Sequence, residues 1–211
     1  MTRRSRFGTA AAVLTAAALV LPSAAVAAPA PATAQPGTAV VLYAANWSSG
    51  LNGWAGAPSW KALRGEMVND GTSGDKKPIL APYDTRKTAD YAVEARIRVT
   101  RVGGSDTDGF GLTARGASGG GGYAGAIWRG YPAQIGYAGD WDPLVDGQTF
   151  ASDAGWHTYR LEVDGNVATF FADGARLASV ADNRYLTGGL TGLFCVGYQI
   201  EVTTFRILRL R

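Results

Sequence analysis

The residues best equipped for chemistry lie between Tyr123 and Asp142. Within this stretch Trp128, Arg129, Tyr131, Gln134 and Tyr137 precede the run Gly139-Asp140-Trp141-Asp142-Pro143. Aromatic rings cover the apolar C–H faces of a sugar, and fixed amide, carboxylate or guanidinium groups bond its hydroxyls, so a site of this kind needs both residue types close together. Trp128 alternates with Ile127 along a strand, so it faces away from the core if Ile127 faces in, and Gln134 alternates in the same way against Ile135. Arg115 stands opposite Leu112 on its own strand, which places it on the same open face. The set Arg115, Trp128, Gln134, Asp140, Trp141 and Asp142 is therefore the candidate carbohydrate site.

Other chemistries find less to work with. His157 is the sole histidine and Cys195 the sole cysteine, which rules out a His/Cys metal cluster and an internal disulfide. Cys195 sits in the apolar run Leu193-Phe194-Cys195-Val196 and reads as a small buried side chain. His157 reads as an exposed strand residue, with no serine or cysteine motif to serve as its nucleophile. Trp54, Trp60 and Trp156 read as core plugs near strand starts. Asp106 and Asp108 beside Gly103-Gly104 are a fragment of a calcium site, which needs six to eight oxygen ligands; an Asp/Gly hairpin is the simpler reading, and no cofactor is expected. The glycine run from Gly116 to Gly122 has neither the following helix nor the lysine of a phosphate-binding loop.

The elements that must carry these residues are strands. Tyr91, Val93, Ala95, Ile97 and Val99 alternate with Ala92, Glu94, Arg96 and Arg98, the pattern of a half-buried antiparallel strand. Phe110, Leu112 and Ala114 repeat it against Thr113 and Arg115. Tyr159 to Val163, Val167 to Phe171 and Leu177 to Val180 are separated by Asp164-Gly165 and Asp173-Gly174, dipeptides suited to tight hairpin turns. Asp146-Gly147 predicts a further turn. Strands at about Leu190 to Val196 and Val202 to Leu210 close the chain, and no long segment after the first residues has helical period. Many short strands with glycine turns pack most naturally as a two-sheet sandwich.

The N-terminus is of another kind. Arg3, Arg4 and Arg6 precede an Ala/Val/Leu run, then Pro22 and the small-residue sequence Ala25-Val26-Ala27, the order of a cleavable signal peptide over residues 1–27. Pro22 ends the apolar run too early for a membrane span. The start Thr2-Arg3-Arg4-Ser5-Arg6-Phe7 leaves both general secretion and twin-arginine export open, and the expected location is extracellular. The leader holds three arginines and no acid, so the net charge of +3 falls to about zero once it is removed. No basic surface for nucleic acid and no membrane insertion are expected. Residues 28–38 are an Ala/Pro-rich spacer expected to be disordered, and residues 39–211 form one domain long enough to fold without staples.

Three segments carry a family likeness: Gly155-Trp156-His157-Thr158-Tyr159-Arg160-Leu161-Glu162-Val163-Asp164-Gly165-Asn166, Phe170-Phe171-Ala172-Asp173-Gly174-Ala175-Arg176-Leu177 and Gly189-Leu190-Thr191-Gly192-Leu193. They resemble the closing strands of laminin-G-like jelly-roll domains in the concanavalin-like lectin and glucanase superfamily. Asn46-Trp47-Ser48-Ser49-Gly50-Leu51-Asn52-Gly53-Trp54 resembles the opening of the same domains. The resemblance implies an antiparallel, two-sheet jelly-roll sandwich. It implies carbohydrate binding as the commonest role, with glycoside hydrolysis in some branches and adhesion or assembly in others. The E-x-D-x-x-E strand motif of the hydrolase branch is absent. The leading expectation is a secreted, non-catalytic, lectin-like domain with a poly- or oligosaccharide partner. The alternatives are an enzyme acting on a sugar derivative and a cell-surface adhesion or assembly module.

Overall fold

The computed structural model describes residues 39–56, 58–72, 78–118, 120–153 and 155–210. The expected leader and spacer lie outside them. Strands β1 to β14 run Val40–Ala44, Trp60–Leu63, Glu66–Asn69, Ile79–Leu80, Tyr91–Arg101, Gly109–Gly116, Tyr123–Trp128, Gln134–Tyr137, Asp142–Asp146, Trp156–Asp164, Val167–Ala172, Ala175–Ala181, Leu190–Val196 and Gln199–Arg209. No helix occurs among the described residues. One sheet has eight strands in the order β12-β11-β10-β5-β14-β3-β2, with β1 also pairing β14; the other has six, β4-β13-β6-β7-β8-β9. All the pairings are antiparallel.

Alternation places the core as expected. Tyr91, Val93, Ala95 and Ile97 of β5 are buried, as are Phe110, Leu112 and Ala114 of β6. With Leu161, Phe170, Ile135 and Phe205 they form one cluster lined by both sheets, and burying each such side chain contributes roughly 1.5–3 kcal/mol. The β11–β12 hairpin closes at Ala172↔Ala175. Asp173 and Gly174 between them have φ of 50° and 80°, the paired positive angles that match a turn to the twist of its strands. The β10–β11 hairpin closes at Asp164↔Val167, through Gly165 and Asn166.

Asp146-Gly147 is not a turn. The Gly147 N–H donates to the Ala133 carbonyl at 2.7 Å, and the Gln148 N–H donates to that of Leu177 at 2.9 Å, so the chain runs straight on from β9 towards β12. A Cβ on Gly147 would collide with the Leu177 carbonyl and stand 2.8 Å from the Ala178 Cβ. Close approach of two backbones, not reversal of the chain, requires glycine here. Trp60 is buried in the core and Trp54 packs edge-on against Phe205 at 4.9 Å. Trp156 instead shares the parity of Thr158, Arg160 and Glu162, which places it on the outer face of the eight-stranded sheet.

Candidate functional site

The two outer faces of the sandwich differ in kind. On the eight-stranded sheet Glu94 binds Arg160 at 3.5 Å and Arg206 at 2.5 Å, Arg160 also binds Glu162 at 2.6 Å, and Arg98 pairs with Glu201. Trp156 lies beneath the guanidinium groups of Arg96 and Arg98, at 5.2 and 4.7 Å from its ring centroid. Glu94, Glu162 and Glu201 each face an arginine, so this part of the surface is a neutralised, solvated ladder.

The outer face of the six-stranded sheet is a valley floored by small residues. Gly109, Gly111 and Thr113 of β6, Ala124 and Ala126 of β7 and Gly136 of β8 hold the outward positions, and β6, β7 and β8 are buried along their whole lengths. Their smallness lets three rings lie on the sheet. A Cβ on Gly111 would stand 2.7 Å from the Phe194 ring, one on Gly109 would overlap that of Trp128, and one on Gly136 would stand 3.1 Å from that of Trp141. Trp128 retains 6% of its exposure and Phe194 4%, with centroids 5.4 Å apart. Trp141 ends the short connection from Tyr137 to Asp142. It folds back edge-on to Trp128 at 4.8 Å and stays partly exposed.

Hollows flank this aromatic ridge. Trp128 and Trp141 wall one of about 240 Å³, whose polar groups are Asp106, Thr107 and Gln134 and whose rim is Tyr131 and Pro143. Tyr131 is 50% exposed. The Gln134 amide donates to Asp146 Oδ1 at 2.6 Å, which orients it. On the other side a hollow of about 660 Å³ lies over Thr113, Leu80, Ala138 and Leu190, beside the loop that joins β6 to β7. A crevice of about 10 Å³ between Thr113, Ala124, Trp141 and Phe194 lies between them.

The structure thus brings Trp128, Gln134 and Trp141 together. Asp140 and Asp142 are exposed on either side of Trp141 and line none of these hollows. Arg115 does not join the group. Its residue is 2% exposed, and its guanidinium donates to the carbonyls of Gly165 and Ala89, each at 2.7 Å, beside Asp90 at 3.7 Å. Its φ of 51° and the register shift of β13 opposite the end of β6 break the alternation that put it on the open face. Arg115 is a latch joining strand ends.

The remaining reactive groups are occupied elsewhere. His157 faces inward with the parity of Tyr159 and is half-buried rather than exposed; its Nδ1 lies 2.7 Å from Asp173 Oδ2 and its ring meets Phe150 edge-on. The Cys195 thiol donates to the Tyr198 carbonyl at 3.3 Å, and burial pushes its pKa far up, away from a reactive thiolate. Asp106 faces Arg129 at 3.6 Å, Asp108 accepts the Ser105 N–H at 2.8 Å, and no group of three His, Cys, Asp or Glu side chains forms a metal cage among the described residues. All four glutamates lie in the eight-stranded sheet, in β3, β5, β10 and β14.

Sequence reasoning missed Thr113, Phe194 and Thr107. A signal for the first two was present: β6, β7 and β8 carry Gly or Ala at outward positions where a solvated strand would carry polar residues, which marks a face occupied by something other than water.

No protein-family model matches the sequence, and no curated protein matches it. Solved structures do. A protein of unknown function with a galectin-like fold from Bacillus subtilis has a TM-score of 0.62 at 10% identity, over 81% of this chain and 97% of that one. The carbohydrate-binding module CBM66 from Bacillus subtilis has 0.57 at 14%, over 76% and 94%. The transglycosylase Crh5, solved in complex with NAG, has 0.54 at 16%, over 80% and 84%. At these identities the likeness establishes the fold, a galectin-like and concanavalin-like two-sheet β-sandwich.

Proposed function

We propose that this protein is a secreted, lectin-like carbohydrate-binding domain of laminin-G-like type, which holds a glycan in the valley of its six-stranded sheet. One observation carries the reading: Trp128 and Trp141 are fixed on a floor of glycine and alanine beside Gln134, Thr107 and Asp106. Rings present faces to sugar C–H groups, and the adjacent amide, hydroxyl and carboxylate bond the hydroxyls. Asp140 and Asp142 flank Trp141 on the rim and are proposed to reach the same ligand. The likeness to a carbohydrate-binding module supports the reading.

The test is a glycan array probed with the full chain and with Trp141→Ala. Selective binding that the variant loses is the expected result; no binding to any glycan refutes the reading. A second reading, chemistry on a sugar derivative, draws support from the likeness to Crh5. It requires turnover of an arrayed glycan that disappears in Asp142→Asn or Asp106→Asn.

A further inference from the structure

We propose that the valley is a groove with two subsites, in which the Thr113 hydroxyl serves the larger one, and that it accepts a neutral linear oligosaccharide longer than a disaccharide. The inference rests on the carbohydrate-binding reading and specifies its ligand. Thr113 stands at the middle of the outward row of β6, paired with Ala124 on one side and Gly192 on the other. It is 4% exposed, its Oγ1 has no hydrogen-bond partner among the described residues, and it lines both the crevice under the ridge and the hollow of about 660 Å³. An unpaired buried hydroxyl is costly, and valine would fill the same volume without that cost. A hydroxyl at this position is accounted for by a bond made when the hollow is filled, and it can both donate and accept, as a sugar hydroxyl can.

The neighbours define the ligand class. Among the described residues the larger hollow has no charged and no aromatic side chain; glycine, alanine, proline and leucine dominate its walls. A uronate or sialic acid would find no cation there among the described residues, whereas an uncharged sugar meets one buried hydroxyl and close apolar contacts. The hollow on the other side of the ridge has the rings and Asp106. The two are linked through shared residues, because the central crevice has Thr113 and Ala138 in common with one and Trp128 and Trp141 in common with the other. The span follows β7, whose six residues at about 3.3 Å each cover roughly 20 Å, several sugar rings end to end.

Calorimetric titration of the full chain with disaccharides and hexasaccharides of the cello-, laminari-, xylo- and chito-series, and with a galacturonate hexasaccharide, tests this. At least one neutral hexasaccharide is expected to bind about tenfold or more tighter than its disaccharide. Thr113→Val is expected to remove about tenfold of hexasaccharide affinity, the value of one hydrogen bond, and to melt no lower than the wild type. Thr113→Ser is expected to restore binding. Equal affinity for both lengths, tighter binding of the galacturonate, or an unaffected Thr113→Val overturns the two-subsite proposal. If Trp141→Ala still abolishes binding in any of those cases, the carbohydrate reading stands. If no arrayed glycan binds the wild type, both fall together.

Discussion

Replacing Trp141 by alanine separates recognition from stability better than replacing Trp128 does. Trp128 is enclosed by Phe194, Trp141 and the β6 backbone, so Trp128→Ala removes a core-like side chain at about 3–5 kcal/mol and measures folding as much as binding. Trp141 is partly exposed and touches two rings, Trp128 at 4.8 Å and Phe194 at 6.2 Å. A tryptophan that buries roughly two-thirds or more of its roughly 200 Å² contributes about 3–5 kcal/mol at ~25 cal/mol/Å². For a domain of this size that corresponds to a fall in Tm of roughly 6–20 °C, which a melting curve reads directly. Truncating a central aromatic anchor costs about 2 kcal/mol or more of binding, or roughly 30-fold in Kd. Calorimetric titration at 25 °C with a glycan selected on the array, beside a melting curve, reads both quantities, and Trp141→Phe is expected to fall between. A Kd within twofold of the wild type in a folded Trp141→Ala protein would refute the placement of the ligand on the tryptophan ridge.

Arg115→Met is expected to lower stability by about 2–4 kcal/mol, because the carbonyls of Gly165 and Ala89 lose charged donors, while glycan affinity stays the same; weakened binding with unchanged melting would return Arg115 to the site. Gly111→Ala is expected to cost roughly 1–3 kcal/mol by overpacking and to weaken binding, since its Cβ meets the Gly125 carbonyl and the Phe194 ring; a variant that melts like the wild type would show that the rings do not rest on the sheet. Burial pushes the Tyr123 pKa up to about 12, and burial raises that of Tyr159 as well. A pKa raised in the folded state contributes stability below the unfolded value near 10, and this is lost as pH climbs towards 12. Tyrosinate absorbance of the native protein is therefore expected to lag behind that of the unfolded chain over this window, and coincident titrations would contradict the burial.

The sandwich was legible because its strands report themselves locally. The alternation of β5 and the Asp-Gly pairs at 164–165 and 173–174 name strands and turns within a dozen residues of sequence. What was not legible depended on distant partners. Arg115 left the open face because its acceptors are 26 and 50 residues away and because a positive φ turned its side chain out of phase. The pair Asp146-Gly147 carries a hairpin signature, yet its glycine answers to the backbone of β12, 30 residues on. Trp156 looked like a core plug by residue type, and parity with Arg160 and Glu162 overrode type. In the site, Trp128, Gln134 and Trp141 could be found from composition, whereas Phe194 reaches the ridge only through the pairing of β13 with β6.

The same ring arrangement bears on whether this valley could do acid–base chemistry. Glycosidic hydrolysis needs two carboxyls about 5–9.5 Å apart on a rigid face, and mounting them on strands means outward positions of the sheet that meets the sugar. On β6 and β8 those positions include Gly109, Gly111 and Gly136, where even a Cβ runs into Trp128, Phe194 or Trp141, and Thr113 and Gln134, which are not acids. Glu94, Glu162 and Glu201 sit across the sandwich, facing away from the valley and committed to arginines on a sheet about 10 Å distant. Rings packed onto glycine are preorganised, so a sugar that docks on them does not have to order loose side chains, and that saving favours affinity. It also fills the space strand-borne carboxylates would occupy. At Gly109, Gly111 and Gly136 the aromatic platform and a strand-mounted carboxylate are therefore alternative uses of one floor, and the rings hold that floor here.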